Sequence, residues 1–343
     1  MLKLINIEQY LNEFTSTPVV DVRSPAEHEK GHIPNAINLP IFSNEERAVI
    51  GTAYKQESRE QAIKIGMEYV QPKLQNFIND SLRIAENKTI VVHCWRGGMR
   101  SRSFAQHLVD NGFTQVYVIE KGYKGFRNHV SNEFKKDAHL VIIGGYTGSA
   151  KTEVLNQIKI ACDKQVIDFE GLAKHRGSAF GGIDQAPQPT NEQFENNLFW
   201  LWKDFDLNKE ILVEDESRAI GSVLIPHAVF DKMKTNRLYF LDIPREERVK
   251  HLVKGYGESN IDELKDSITR ISSRLGGLNT SNALNHLAKG EMHDVARITL
   301  LYYDKYYAKG VAKRDQKMVT SIPLKTTNPI NNSIEIIKML NGN

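Results

Sequence analysis

Twice in this chain an apolar run passes straight into a glycine-containing loop and from there into a helical stretch. The first joint is Thr89-Ile90-Val91-Val92-His93 followed by Cys94-Trp95-Arg96-Gly97-Gly98-Met99-Arg100-Ser101-Arg102. The second is His139-Leu140-Val141-Ile142-Ile143 followed by Gly144-Gly145-Tyr146-Thr147-Gly148-Ser149-Ala150-Lys151-Thr152. A short continuous apolar run reads as a buried strand, and strands that alternate with helices imply a parallel α/β sheet. At 343 residues the chain is too long for one ordinary domain, and each joint claims its own.

In the first block, further strands are expected at Pro18–Arg23, Ala36–Pro40 and Gln115–Ile119. A helix is expected from Ser101 to Asn111, closing at Gly112 as a helix C-cap should. The polar segment Asn128–Ala138 reads as the joint between domains, which sets them at residues 1–135 and 136–343. The second block carries expected strands at Gln165–Asp168, Ile211–Glu214 and Arg237–Leu241, and helices at Asn191–Lys203 and Arg245–Gly255. One strand and a final helix are expected after Lys317. Hydrophobic residues make up 40% and charged residues 25%, which suits a soluble globular protein with a real core. The formal net charge of +3 is compatible with a nucleic-acid partner without requiring one. The two cysteines, Cys94 and Cys162, lie far apart. A disulfide framework and a zinc site are therefore not expected, and a reducing cytoplasm is the expected location. Met1–Tyr10 carries acid early and lacks a long apolar core, so it does not read as a signal peptide. No apolar run approaches the length that crosses a bilayer.

Cys94 is the candidate nucleophile. A thiol at that joint faces backbone N–H groups at a helix N-terminus, beside Arg96, Arg100 and Arg102. Both effects favour the thiolate. The same ring of donors, Trp95, Arg96, Gly97, Gly98, Met99 and Arg100, is suited to a tetrahedral oxyanion such as phosphate or selenophosphate. Five residues separate Cys94 from Arg100, so the loop reads His-Cys-x5-Arg-Ser, the signature of cysteine-dependent phosphatases. Loop length alone does not choose between a phosphate ester and selenophosphate. The plainer alternative is an inert cysteine at a strand end. Cys162 has no basic surround and is expected to be an ordinary thiol. Trp95 reads equally as a stacking platform for a base and as a lid over the loop.

The second joint, Gly145-Tyr146-Thr147-Gly148-Ser149-Ala150-Lys151-Thr152, has the form of a phosphate-binding loop. Backbone N–H groups would wrap the phosphates, Lys151 would supply a point charge, and Thr152 would ligate magnesium. Ala150 stands where the usual pattern has its last glycine, and a Cβ there is expected to narrow the loop. Carboxylates end the strand Ile211–Glu214, at Glu214, Asp215 and Glu216, as metal-side partners of the loop or as a solvated strand end. The stretch Glu170–Gly181, with Lys174 and Arg176, is basic and could grip phosphates. Glu216, Arg218 and Arg274 are accessory candidates.

Asp21-Val22-Arg23-Ser24-Pro25-Ala26-Glu27-His28-Glu29-Lys30-Gly31-His32-Ile33-Pro34-Asn35-Ala36-Ile37-Asn38 resembles the entry motif of rhodanese domains, with the Cys94 loop downstream at a fitting spacing. The second block resembles a P-loop protein. The fold class expected is therefore α/β, an N-terminal rhodanese-like parallel-sheet domain followed by a P-loop NTPase-like α/β domain. Together with Glu170–Ser178 and Glu214-Asp215-Glu216-Ser217-Arg218, the whole chain resembles the bacterial tRNA 2-selenouridine synthases. That resemblance implies a transferase that acts on tRNA carrying 2-thiouridine at the wobble position. It implies selenophosphate and geranyl diphosphate as co-substrates, an S-geranyl intermediate, no tightly bound cofactor and no membrane partner. It also implies that Cys94 takes up selenium as a selanylsulfide, while Lys151 and nearby arginines hold the diphosphate. A cysteine phosphatase and a general rhodanese sulfurtransferase are the competing readings.

Overall fold

The computed structural model describes residues 1–162 and 164–342. The chain divides into two compact units, Met1–Glu133 and Phe134–Asn343, and both are α/β with parallel sheets.

The first unit is built on strands β1 (Leu2–Ile5), β2 (Val19–Asp21), β3 (Ile37–Asn38), β4 (Thr89–His93) and β5 (Gln115–Ile119). They pair in the order β1-β5-β4-β2-β3, every pair parallel. The central β4 is flanked on both sides, Val91 opposite Val19 and Tyr117. Ile90 through His93 are completely buried, as a strand covered on both faces must be. Strand β1 escaped the sequence reading because it is an edge strand whose Leu4 and Lys3 stay exposed, so it has no continuous apolar run. The division between the units falls after Glu133, inside the segment Asn128–Ala138 read as the joint, but the first part of that segment is the end of a helix, Gly122–Glu133. Tyr123, Phe126 and Val130 are its buried face, and the polar residues are its solvent face.

Between β3 and β4 lie three helices, Asn44–Gln56, Arg59–Val70 and Leu74–Ile84. Ser43 and Glu46 close a capping box on the first, and Ser58 caps the second through the Gln61 N–H. A buried ion pair locks the entry loop. Arg23 Nε donates to both Asp21 oxygens at 3.0 and 2.9 Å, and its Nη2 reaches Asp21 Oδ2 at 2.6 Å and the Gly31 carbonyl at 2.7 Å. The guanidinium also lies over the Tyr123 ring, 3.9 Å from its centroid. Burial disfavours the Asp21 carboxylate, but neighbouring His93 and Arg23 outweigh it and hold the group below its ordinary value.

The second unit carries β6 (Leu140–Gly145), β7 (Gln165–Ile167), β8 (Ile211–Glu214), a small antiparallel hairpin β9 (Ala219–Ile220) and β10 (Val223–Leu224), then β11 (Leu238–Asp242) and β12 (Val319–Pro323). The main sheet runs β12-β11-β6-β8-β7, all parallel. Val154, Leu155 and Ile158 of the helix Lys151–Cys162 and Ile336 of the helix Pro329–Asn341 share one core with Val141, Ile143 and Leu241. Residues 245–312 form an array of helices with its own small core of Leu264, Ile268, Ala283, Leu287 and Val295. Cys162 is exposed at the end of its helix.

Removing one partner of a buried ion pair leaves an uncompensated charge. Asp21→Ala is therefore expected to cost the first unit about 3–5 kcal/mol in urea unfolding. A loss below about 1 kcal/mol, the worth of a surface pair, would assign the unit's stability elsewhere.

Candidate functional site

Each unit carries one chemical loop, and each loop joins the C-terminal end of a central strand to a helix N-terminus. In the first unit Cys94 follows β4 and the helix Met99–Asp110 starts after Gly98. Two glycines make the turn tight. Gly97 has φ +62°, and a Cβ on it would stand 2.4 Å from the Ile119 carbonyl. Gly122 has φ +51°, and a Cβ on it would stand 2.1 Å from the Cys94 carbonyl. Only glycine fits either place. The Tyr123 and Lys124 N–H groups donate to the Cys94 and Trp95 carbonyls, which pins the loop to the turn after β5.

Cys94 is 3% exposed, yet it lines a cleft of about 1410 Å³ together with Trp95, Arg96, Gly98, Met99 and Arg100. Its Sγ lies 3.2 Å from Ser101 Oγ. Arg96 is exposed. Arg100 is not free to swing: its Nη1 and Nη2 donate to Glu27 at 2.8 and 3.3 Å. Glu27 is in turn fixed by the capping box it makes with Ser24. Burial opposes ionisation of Glu27, but Arg100 outweighs it and holds the carboxyl below its ordinary range. Arg102 folds back onto the Gly97 carbonyl at 3.2 Å. His93 is fully buried, and burial first, with Arg23 nearby, pushes it down to about 4 despite Asp21, so its imidazole is neutral at pH 7. Trp95 stands at the rim, its ring 5.8 Å from that of Tyr123. Glu27 and Ser101 were missed as site residues. The only signal for Glu27 was its place three residues after a serine, where a capping box would hold it.

In the second unit the loop after β6 curls with Gly148 at φ +80° and Ala150 at φ +55°. Ala150 is 4% exposed, so its methyl turns into the protein and presents little surface to an incoming phosphate. Ser149 is buried as well, and Tyr146 packs edge-on to Phe240. Lys151 Nζ reaches back to the Gly145 carbonyl at 3.3 Å and lies 5.5 Å from the centre of the Tyr307 ring. Arg248 braces the loop from outside. Its Nη1 donates to the Thr147 carbonyl at 3.2 Å, while Asp304 pairs with Nη1 and Nη2 at 2.7 and 3.0 Å. Arg248 was read only as part of a helix start, not as a support of the loop.

A carboxylate cluster faces Lys151 and Thr152. Thr152 Oγ1 lies 2.9 Å from Glu170 Oε2 and 2.5 Å from Glu214 Oε1. A hydroxyl donates one proton. The second short contact is satisfied when Glu214 keeps its own proton, the direction in which burial and then the charges of Glu170 and Asp168 push it. Glu216 is 4% exposed, and burial followed by the charge of Glu170 pushes it up to about 8. Gly177, at φ +68°, passes so close to Glu170 and Glu216 that a Cβ would stand 2.7 and 2.8 Å from their oxygens. The accessory candidates separate. Glu216 belongs to this cluster. Arg176 stacks on Tyr256 at 5.1 Å and reaches the Gly255 carbonyl. Arg274 bonds the Tyr302 hydroxyl. Lys174, at φ +52°, ends a short helix, and Arg218 is exposed. Glu170, read as part of a basic stretch, is in fact the acid nearest Thr152 after Glu214. Strand β7 ends just before it and places it there. The oxygen-only set of Thr152, Glu170 and Glu214 suits a hard cation such as magnesium.

Fold and loops define a two-unit protein that joins a rhodanese-like cysteine cradle to a phosphate-loop domain. The comparisons agree. A rhodanese-like domain signature matches residues 6–129, and a signature described as tRNA 2-selenouridine synthase AAA domain matches residues 138–328. A tRNA 2-selenouridine synthase of Nitrosomonas eutropha is 39% identical over 252 residues, 70% of this chain and 63% of that protein. Proteins of the same name from Hydrogenovibrio crunogenus and Bdellovibrio bacteriovorus are 33% and 32% identical, over 88% and 91% of this chain and 91% and 94% of theirs. The chain belongs to the tRNA 2-selenouridine synthase family.

Two outcomes follow from the second loop. For Glu216, the folded protein holds a proton that the unfolded chain releases above its ordinary value of 4.5. Stability from this group is complete at low pH and is lost as pH rises through about 8. In magnesium-free buffer, Glu216→Gln is therefore expected to gain melting temperature over the parent between pH 5 and pH 9; a gap that stays flat would place the proton elsewhere. For Ala150, a left-handed backbone costs an L-residue about 1–2 kcal/mol, offset by about 0.5–1 kcal/mol of unfolded-state entropy when glycine replaces it. Ala150→Gly is expected to leave stability unchanged or raise it slightly in thermal unfolding, whereas a marked loss would mean that the buried methyl is a packing element.

Proposed function

We propose that the protein converts 2-thiouridine at the wobble position of tRNA to 2-selenouridine in the cytoplasm, with selenophosphate as selenium donor and through an S-geranyl intermediate made from geranyl diphosphate. The single observation that carries this reading is the presence in one chain of a cysteine at the floor of an anion-sized loop and a separate phosphate loop with its lysine. Two anionic donors need two cradles. The family membership supplies the RNA substrate.

In the first step the thiocarbonyl sulfur attacks C1 of the geranyl group, the carbon–oxygen bond breaks, pyrophosphate leaves and the base loses its N3 proton. Lys151 and the loop N–H groups offset the charge that develops on pyrophosphate. Magnesium on the oxygen set at Thr152 would neutralise further charge on the diphosphate. Alkylation turns a poor leaving group into a good one. In the second step Cys94 opens selenophosphate. Attack of the thiolate at phosphorus breaks the phosphorus–selenium bond and frees selenide, which adds at C2 and expels geranylthiolate; water then clears the phosphorylated cysteine. Attack at selenium would instead form a sulfur–selenium bond and break the phosphorus–selenium bond with its electron pair left on phosphorus, expelling phosphite. Release of selenide from that selanylsulfide would require a cellular thiol as two-electron reductant. The five-residue spacing to Arg100, shared with phosphatase loops, favours attack at phosphorus.

Mass spectrometry of wobble nucleosides separates the steps. Cys94→Ser is expected to keep geranylation and lose selenium insertion, and Lys151→Ala to slow geranyl transfer by about 10²-fold or more. Selenouridine formed at the parental rate by the Cys94 variant would remove this thiol from the reaction. Radiophosphorus from labelled selenophosphate that stays on the protein would mark attack at phosphorus.

A further inference from the structure

The cleft above Cys94 is far larger than an inorganic donor needs. It encloses about 1410 Å³, against about 300–1,000 Å³ for a pocket that holds a drug-sized ligand. Part of its wall is apolar and open to solvent. Tyr54, Ile63, Met67, Trp95 and Met99 line it and are 62%, 37%, 59%, 36% and 49% exposed. Large apolar side chains gathered round one concavity mark a binding surface, unlike the same residues scattered singly. Tyr54, Ile63 and Met67 come from the paired helices Asn44–Gln56 and Arg59–Val70, while Trp95 and Met99 come from the cysteine loop itself. The remaining lining is strongly one-signed: it includes Lys55, Arg59 and Arg96, all exposed, and among the described residues Asp110 is its one acid.

We propose that this apolar wall binds the geranyl chain of the S-alkylated wobble nucleoside, while Lys55, Arg59 and Arg96 hold phosphates of the RNA strand that carries it. The proposal rests on the geranylation step described above and adds to it a site and a reason. The chain marks a base whose sulfur has become a good leaving group. A wall that grips the chain draws the activated base to Cys94 and leaves unalkylated 2-thiouridine to the other loop. The selenated product has no chain and loses that grip, which favours release. Positive charge gives affinity for any RNA strand, and the apolar wall supplies the discrimination between alkylated and bare bases.

The test uses the full chain and synthetic RNA hairpins that carry 2-thiouridine, S-methyl-2-thiouridine or S-geranyl-2-thiouridine, with binding read by fluorescence anisotropy. The parent is expected to bind the geranyl hairpin at least about tenfold more tightly than the methyl one, a difference that burial of a few methylene groups supplies. Met67→Asp and Ile63→Asp are expected to abolish the preference; the added carboxylates near Arg59 weaken all three hairpins alike, so the ratio of geranyl to methyl affinity is the readout. Met67→Leu is expected to keep the preference, which guards against misfolding as the cause. Lys55→Ala with Arg59→Ala is expected to weaken all three hairpins alike and to flatten the salt dependence. Equal affinity for geranyl and methyl hairpins, or a preference that survives Met67→Asp and Ile63→Asp, overturns the proposal. So does a parent that dimerises through this wall and becomes monomeric in Met67→Asp without any change in hairpin preference. Because the hairpins are synthetic, binding is measured whether or not the protein itself geranylates. Absence of any geranylated nucleoside in the turnover experiment would count against the reaction scheme, and absence of the binding preference against the wall.

Discussion

Both loops depend on one constraint of parallel sheets. A strand buried on both faces must leave the sheet at its C-terminal end, and the helix that follows starts with N–H groups that have no partner within the helix. The chain uses this joint twice. The joint after β4 carries a thiol, and the joint after β6 carries a lysine and a threonine. The difference in chemistry comes from side chains; the cradle comes from the backbone. In each case packing holds the loop where it is. Gly97 and Gly122 let the cysteine loop approach the turn after β5 more closely than any side chain would permit. Arg248, held by Asp304, ties the phosphate loop at the Thr147 carbonyl.

The two sites handle charge in opposite ways. Around Cys94 the positive groups are paired in advance: Arg100 with Glu27 and Arg23 with Asp21. Arg96 is left exposed at the rim. Around Thr152 the excess is negative. Glu170, Glu214 and Glu216 lie together beside Thr152, and burial raises all three carboxyls, Glu216 up to about 8. Such a cluster is stable in the presence of a proton or a cation.

Much of the fold was legible because the strands that matter are the buried central ones. Runs such as Thr89–His93 and Ile211–Glu214 coincide with β4 and β8 residue for residue. Where the sequence reading missed, the element lay at an edge or on a surface. Strand β1 is half exposed and has no apolar run. The sequence reading starts the joint too early, at Asn128, inside the helix Gly122–Glu133, because the outward face of that helix is polar. The helices between Ile261 and Ala312 have a small core of their own, too short in pattern to be read separately from one sequence.

The sequence by itself determined which residues are the candidates for chemistry. A cysteine before two glycines and among arginines, and a lysine–threonine pair after a glycine-rich turn, announce their types because backbone geometry at a strand end demands those residues locally. Only the tertiary structure decided what surrounds them. Glu27 stands 73 positions from Arg100, and Glu214 stands 62 from Thr152. Helix pairs far upstream of Cys94 wall its cleft. Contacts of that kind follow from how strands order themselves in a sheet, and a linear pattern carries no record of that order.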